Sequence, residues 1–158
     1  MRADVSSEAF RRWNPSLQAA NADAATIPIM QPIGQDMWGE GVTARRVETA
    51  LSAIGDRPVN VPINSPGGDV FEGAAIYELL RAHARDKGEV TVQIMGLAAS
   101  AASIIAMAGD NILIGQSSFL MIHNSWVIAI GDRNALREVS DWLEPFDAAM
   151  AGVYEAQT

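Results

Sequence analysis

A serine and its surroundings are the first feature that could do nucleophilic chemistry. Ser100 lies within MGLAASAASIIAMAG, an almost wholly apolar stretch typical of a buried helix of small residues. The free N–H groups at a helix start, at the positive end of its dipole, can stabilise an oxyanion beside the hydroxyl. The same position suits a helix cap, for which serine is strongly preferred. Both interpretations of Ser100, cap and nucleophile, are therefore open.

A nucleophilic serine needs a base, and the chain offers few candidates. His83 lies in the middle of one predicted helix, and Lys87 lies at the polar end of the same helix. Neither is well placed to act as the base for Ser100. His123 ends the apolar stretch FLMI and precedes the polar pair Asn124 and Ser125, at the kind of sheet edge where sites form. His123 is the candidate base, and a strand-end histidine bonded to the backbone is the alternative.

A second junction that could carry chemistry is the turn NSPGGD, residues 64–69. Consecutive glycines after a strand let the backbone adopt unusual dihedral angles and let another group approach its N–H groups. An ordinary tight turn explains the same pattern.

The elements that must position these residues alternate between strands and helices. A first strand is predicted at 26–33, where its prolines suggest an edge, and a helix at 42–54 with Thr43 as its cap. Alternating strands and helices indicate βαβ units, and so an α/β fold with a mostly parallel sheet. The further strands are predicted at 59–63, 89–95, 111–114, 119–122 and 126–130, and the further helices at 70–87, from Ser100 and from Asp132.

The last predicted helix has an apolar stripe at helical spacing, which is compatible with subunit contacts, although its default interpretation is an intramolecular core. Pro145 lies inside this helix and is expected to kink it, because an interior proline costs about 3 kcal/mol. The stripe consists of Leu136, Val139, Trp142, Leu143, Phe146, Met150, Val153 and Tyr154.

Composition excludes several classes of function. The 158 residues are 49% apolar and 19% charged, as expected for one globular domain. A net charge of −8 argues against nucleic acid and anionic membranes as partners. There is no cysteine, which excludes disulfides and thiolate chemistry. With no signal-peptide pattern and no apolar run of about 17 residues, we expect a cytoplasmic protein without a membrane anchor.

Three stretches, in order and spacing, resemble the motifs of ClpP-like serine peptidases. They are INSPGGDVFEGAAIY, GLAASAASIIAMAG and FLMIHNSW, and the likeness runs from about residue 29 to 158. The residues of these motifs are most similar to those of the phage and prophage branch of the family, the ClpP-like head maturation proteases. The resemblance implies a fold of the ClpP/crotonase type.

The resemblance also implies a role for each matching position. Ser100 corresponds to the nucleophile, His123 to the general base, and Gly68 and Ala101 to the backbone N–H donors of the oxyanion hole. Ser103 matches no catalytic position and is expected to be a helix-packing residue. An extended peptide would lie between the residues from 68 to 71 and those after the histidine. The substrate-binding residues implied are Gly67, Asp69, Val70, Asn124 and Ser125.

The chain departs from the family pattern in its acidic triad member, which in the family lies well beyond the helix that carries VYEAQT. Asp132, Asp141 and Asp147 follow the histidine, but none matches the motif position. The simplest explanation is a truncated chain, with a flexible leader at 1–25 and the peptidase domain at 26–158, and the alternatives are a carboxylate from a neighbouring subunit or a dyad mechanism. Pro145 could alter the oligomer, and the first 25 or so residues do not match the ATPase-contacting loops of the housekeeping enzyme.

The resemblance implies a serine endopeptidase that uses no metal or organic cofactor and assembles as a homo-oligomeric ring. By analogy its polypeptide substrates would be phage capsid or scaffold proteins. Three alternatives stay open: a housekeeping ClpP-type subunit that works with an ATPase, a crotonase-like acyl-CoA enzyme, and a catalytically inactive assembly subunit. The absent acidic residue favours the last, whereas the lack of a basic cluster for CoA phosphates disfavours the second.

Overall fold

The computed structural model of the protein describes residues 24–37 and 39–157. The predicted leader at 1–25 lies almost wholly outside the described residues and stays a prediction. The strands are β1 (Ala25–Thr26), β2 (Val59–Ser65), β3 (Val90–Ala99), β4 (Asn111–Ile114) and β5 (Phe119–Met121). The helices are α1 (Ala44–Ile54), α2 (Val70–Asp86), α3 (Ala101–Ala106) and α4 (Arg133–Glu155).

The five strands form one sheet in which every pairing is parallel. β1, β2, β3 and β4 follow one another across the sheet, and β5 also pairs with β3. The first half of β3 pairs with β4, and its last residues, Leu97 to Ala99, pair with β5. The prediction of an α/β fold with a mostly parallel sheet is confirmed.

The core lies around β2 and β3, whose valines and isoleucines are almost completely buried. Thr43 begins α1 as predicted, and its side chain accepts a hydrogen bond from the Arg46 N–H at 3.3 Å. Helix α1 buries Val47 and Leu51, while α2 contributes Ile76 and Leu80 among others. Both α1 and α2 bury residues at the predicted helical spacing, so the apolar faces of these two helices pack within the chain.

The first predicted strand, 26–33, is much shorter in the structure. Only Ala25 and Thr26 form a strand, and single bridges follow at Ile29 and Ile33. The chain still runs alongside β2, since Ile29 N–H donates to the Pro62 carbonyl at 2.9 Å. The N–H groups of Ile27 and Ile29 both donate to β2, so Pro28, which has no N–H, lies between the donating positions, as expected for a proline at a sheet edge.

The strand predicted at 126–130 is wrong for the described residues. This segment has no strand structure there, and its side chains are exposed: Trp126 by 71%, Ile128 by 81% and Ile130 by 99%. Its apolar, β-branched composition is typical of a strand, but no neighbouring strand in the described part of the chain pairs with it.

The apolar stretch around Ser100 is divided between two elements instead of forming one helix. Met95 to Ala99 complete β3, and the helix that follows, α3, covers only the six residues Ala101–Ala106. All six are buried. A short apolar run has the same composition in a buried strand and a buried helix, so periodicity could not separate them.

Helix α4 begins after Asp132, whose carboxylate accepts hydrogen bonds from the N–H groups of Asn134 and Ala135, both at 3.0 Å. It runs for 23 residues and continues through Pro145. No residue of α4 is fully buried, and of its apolar stripe only Val153 and Tyr154 pack against the core. The interpretation of this stripe as an intramolecular core is therefore wrong for most of its length.

Candidate active site

The carboxyl ends of β3 and β5 bring Ser100 and His123 to one place. Ala99 and Met121 are partners in the parallel register, so the residues that follow them leave the sheet side by side. The Ser100 N–H donates to the Met121 carbonyl at 3.0 Å. Ser100 and His123 both line a cavity of about 330 Å³. Parallel strands place their carboxyl ends at the same sheet edge, where ligands commonly bind.

Ser100 has an unusual backbone conformation. Its φ of 53° and ψ of −128° make it the one residue other than glycine with a positive φ among those described. Such a conformation costs of the order of 1–3 kcal/mol and persists only where the surroundings impose it. The Ser100 side chain makes no capping hydrogen bond. The capping interpretation is therefore not supported by the structure, and the hydroxyl is left for another purpose.

The glycine turn packs directly against this serine. A Cβ added to Gly67 would lie 2.5 Å from the Ala99 carbonyl oxygen, 2.6 Å from the Ser100 Cβ and 3.0 Å from the Ala101 nitrogen. Gly67 also has a φ of 89°, which glycine alone adopts readily. The turn therefore requires glycine here because the backbone on either side of Ser100 approaches too closely for a side chain.

Two backbone N–H groups beside the serine are without hydrogen-bond partners in the described part of the chain, those of Gly68 and Ala101. Gly68 bridges to Ile33, and the bridge uses the Gly67 carbonyl and the Asp69 N–H, at 2.9 and 3.0 Å from Ile33. The Gly68 N–H is left out of this bridge. Gly68 and Ala101 both line the cavity, so their N–H groups can bind an oxygen there.

The residues implied for substrate binding have different surroundings. Gly67 is absent from the cavity lining, and its N–H and carbonyl are bonded to the Ser65 hydroxyl at 3.2 Å and to Ile33. Asp69 lines the cavity, but its carboxylate caps α2 by accepting from the Phe71 and Glu72 N–H groups at 2.8 and 2.9 Å. Val70, Asn124 and Ser125 also line it.

The backbone of Ser125 is hydrogen-bonded to helix α4. Its N–H donates to the Asp147 carboxylate of α4 at 2.7 Å. Its hydroxyl is buried and has no hydrogen-bond partner within the described residues. The segment after His123 is thus attached to α4, which forms the far wall of the cavity.

The apolar wall of the cavity is the part of the site that no motif in the sequence predicts. The ring of Phe146 makes edge contacts with Phe71 at 5.5 Å and with Trp142 at 4.8 Å between ring centroids. The recurrence of Trp142, Phe146 and Met150 every fourth residue was visible in the sequence but was assigned to a core. The residues of this wall are Phe71, Trp126, Val127, Trp142, Leu143, Phe146 and Met150.

The other candidate bases lie elsewhere. His83 is buried, with 3% of its surface exposed, and its Nε2 lies 2.9 Å from the Arg57 carbonyl oxygen. It shares a separate cavity with Lys87. His83 is therefore a buried residue outside the cavity, and His123 is the imidazole that lines the cavity with Ser100.

The cavity has neither an orienting carboxylate for the histidine nor a metal site in the described part of the chain. No hydrogen bond there joins His123 to Ser100 or to an acidic side chain, and Asp132, Asp141 and Asp147 are not in the cavity lining. No group of three or more His, Cys, Asp or Glu among the described residues could hold a metal ion.

No helix in the described part of the chain is long and apolar enough to cross a bilayer.

Comparison with known proteins decides the family. The family model described as Clp protease matches residues 16–158. The chain belongs to the Clp protease family. This family consists of serine-type peptidases, and the parallel α/β sheet described above is consistent with its fold.

Two curated relatives carry the same printed name, ATP-dependent Clp protease proteolytic subunit. The relative from Deinococcus radiodurans is 38% identical over 55 residues, which cover 35% of this chain and 26% of the relative. The relative from Bdellovibrio bacteriovorus is 41% identical over 54 residues, or 34% of this chain and 24% of the relative. The chain thus matches about a quarter of the length of each of these relatives.

Proposed function

We propose that this Clp protease family member is a serine endopeptidase in which Ser100 attacks the peptide carbonyl and His123 accepts the serine proton. The observation that carries the proposal is the strained backbone of Ser100, which presents a hydroxyl without a capping bond to the cavity that His123 also lines. Strain of this kind is characteristic of functional positions.

The tetrahedral intermediate formed by this attack carries its negative charge on the former carbonyl oxygen. We assign the Gly68 and Ala101 N–H groups as its donors, because neither has a partner among the described residues and both residues line the cavity that Ser100 lines. His123 then returns the proton to the leaving amine, and an acyl-enzyme on Ser100 remains. Water, activated by the same imidazole, hydrolyses the ester and releases the new carboxylate.

The shape of the cavity supports an apolar side chain next to the cleaved bond. Phe71, Trp142, Phe146 and Met150 provide a wall without formal charge. Burial of a large apolar side chain against such a wall contributes roughly 1.5–3 kcal/mol. We expect peptides with leucine, methionine or phenylalanine before the cleaved bond to be preferred over those with aspartate or glycine.

A fluorophosphonate probe tests the assignment of the nucleophile. Labelling should be lost in Ser100→Ala and greatly reduced in His123→Ala, because the probe reacts only with an activated serine. Ser52→Ala, a substitution of an exposed serine in α1, is the matched control and should leave labelling unchanged. If the unmodified protein is not labelled, the inactive assembly subunit is the better description, and the peptidase proposal fails.

Two biological roles with different natural substrates are compatible with this activity. The amino-acid sequences of the three motifs support a role in phage head maturation, in which capsid or scaffold proteins are cleaved. The names of the two relatives support a housekeeping subunit that works with an ATPase. Degradation of an unfolded protein that requires a Clp ATPase and ATP would favour the second, whereas limited cleavage of a capsid precursor without ATP would favour the first. The family match leaves the crotonase-like alternative without support.

A further inference from the structure

Ser103 makes the two shortest hydrogen bonds to the strained main chain of Ser100. The Ser100 carbonyl oxygen accepts the Ser103 N–H at 2.8 Å and the Ser103 hydroxyl at 2.6 Å. Ser103 is completely buried. Ser103 thus binds the Ser100 carbonyl through both its backbone and its side chain. A shift of Ser103 would therefore also shift the peptide group that joins Ser100 to Ala101.

The Ser103 hydroxyl is itself bonded to helix α4. The Tyr154 hydroxyl oxygen lies 2.7 Å from the Ser103 Oγ. A carbonyl oxygen can only accept, so the single hydroxyl proton of Ser103 is committed to Ser100, and Tyr154 must be the donor of the second bond. Burial raises the pKa of the Tyr154 phenol, which therefore keeps this proton at neutral pH.

The end of α4 is attached to α3 at a second point. The Gln157 Nε2 donates to the Met107 carbonyl, just after the last residue of α3, at 2.6 Å. Tyr154 thus anchors near the beginning of α3 and Gln157 near its end. Both contacts come from the last residues of α4 and the turn that follows it, which lie outside the cavity lining.

We propose that Ser103 and Tyr154 are positioning residues, which hold the Ser100 backbone in its strained conformation through the chain of bonds Tyr154 OH to Ser103 Oγ to Ser100 carbonyl. The inference rests on the proposed peptidase function. Neither residue lines the cavity, so neither contacts a substrate bound there. Their contribution is to keep the Ser100 hydroxyl and the Ala101 N–H in register with His123.

The positioning role predicts a change in kcat without a change in KM. Loss of one buried hydrogen bond should lower kcat about fivefold in Tyr154→Phe and about tenfold in Ser103→Ala, with KM for a peptide substrate unchanged. The rate of fluorophosphonate labelling at Ser100 should fall by the same factors. Tyr77→Phe is the matched control, since it removes the hydroxyl of the other tyrosine in the chain and should change neither quantity.

A double variant tests whether the two residues act in series. In the Ser103→Ala background, Tyr154→Phe should cause no further loss of kcat, because the link to Ser100 is already broken. Independent, multiplying losses would overturn the proposal. So would single variants that lower only the melting temperature while kcat and labelling at 25 °C stay normal.

Amide hydrogen exchange separates this proposal from the peptidase function. If the unmodified protein is not labelled at Ser100, the function fails, but the bonds around that residue can still be tested. The Ser103 and Ile104 N–H groups both donate to the Ser100 carbonyl, at 2.8 and 3.4 Å. Faster exchange of these amides in Tyr154→Phe than in Tyr77→Phe supports the positioning role, and equal exchange in the two variants overturns it.

Discussion

The two glycines of the turn between β2 and α2 have different tasks around Ser100. Gly67 lies behind the serine, where its missing side chain lets the turn approach the Ala99 carbonyl and the Ser100 Cβ. Gly68 lies at the cavity with an N–H that no backbone carbonyl of the described residues accepts. Gly67 thus allows the turn to pack closely against Ser100, and Gly68 supplies a hydrogen-bond donor at the cavity.

Substitution of Gly67 should therefore damage both stability and chemistry. Gly67→Ala combines a positive φ with a steric clash, and we expect the free energy of unfolding to fall by roughly 2–4 kcal/mol. Labelling of Ser100 should also slow, since the clash pushes on its backbone. Gly55→Ala is the control, because Gly55 has a φ of 72° but open space around it. Equal losses in the two variants, measured by urea unfolding, would contradict this argument.

Asp69 allows a structural role to be distinguished from substrate binding. Its carboxylate caps α2, and loss of a cap costs about 1 kcal/mol. Asp69→Ala should lower the melting temperature, whereas Asp69→Ser should keep the cap, the melting temperature and the KM for a peptide. A higher KM in Asp69→Ser with normal stability would instead show the direct substrate contact that the family resemblance implied.

At the scale of elements, the cavity is an opening between the sheet edge and α4. The segment after His123 crosses this opening without strand structure and is attached to α4 where the Ser125 N–H meets the Asp147 carboxylate. This charge-assisted hydrogen bond fixes the segment to the helix that follows it in the chain.

Removal of that bond should weaken activity without affecting the core. We expect Asp147→Ala to lower kcat/KM about tenfold, because the Asn124–Ser125 segment loses its anchor on α4. Asp141→Ala removes another acidic side chain of α4, one that is exposed, and should leave kcat/KM unchanged. Initial rates of peptide cleavage measure the effect, and similar rates for both variants would show that the bond has no role in activity.

The whole molecule exposes an unusually apolar surface. The side chains of β5 are exposed, as are those of the 126–130 segment, where Ile128 is 81% and Ile130 is 99% exposed. Several exposed apolar side chains within a short stretch of chain are typical of an interface between proteins. We propose that the part of this surface outside the cavity, residues 119–122 and 128–130, is covered by a second copy of the chain, consistent with the oligomeric rings typical of the Clp protease family.

Assembly should therefore be sensitive to charge on this surface. We expect the protein to have the mass of an oligomer in light scattering, and Ile128→Asp and Ile130→Asp to shift it towards the mass of a single chain. A charge at a buried interface position remains unpaired, which opposes association. Met37→Asp is the control, since Met37 is 89% exposed and lies outside this surface. A monomeric unmodified protein would remove the proposal of self-association.

The elements of the fold were largely predictable because their signals are local. Helix α1 was recognised from Thr43 and the spacing of Val47 and Leu51, and the strands β2 and β4 from short apolar runs. The errors lie where the same composition suits two structures. Residues 96–99 are predicted as the junction between a strand and a helix but extend β3, and residues 126–130 are predicted as a strand but have no strand partner among the described residues.

The sequence by itself determined the α/β fold, the motifs that mark the Clp protease family, and the choice of Ser100 and His123 as the pair to examine. Only the tertiary structure decided that Ser100 has a strained backbone and no capping bond, that α4 forms a cavity wall, and that Tyr154 reaches Ser103. The physical reason is one of range. Periodicity and turn residues report contacts a few positions apart, whereas these features arise between residues that the folded sheet and α4 bring together from distant parts of the chain.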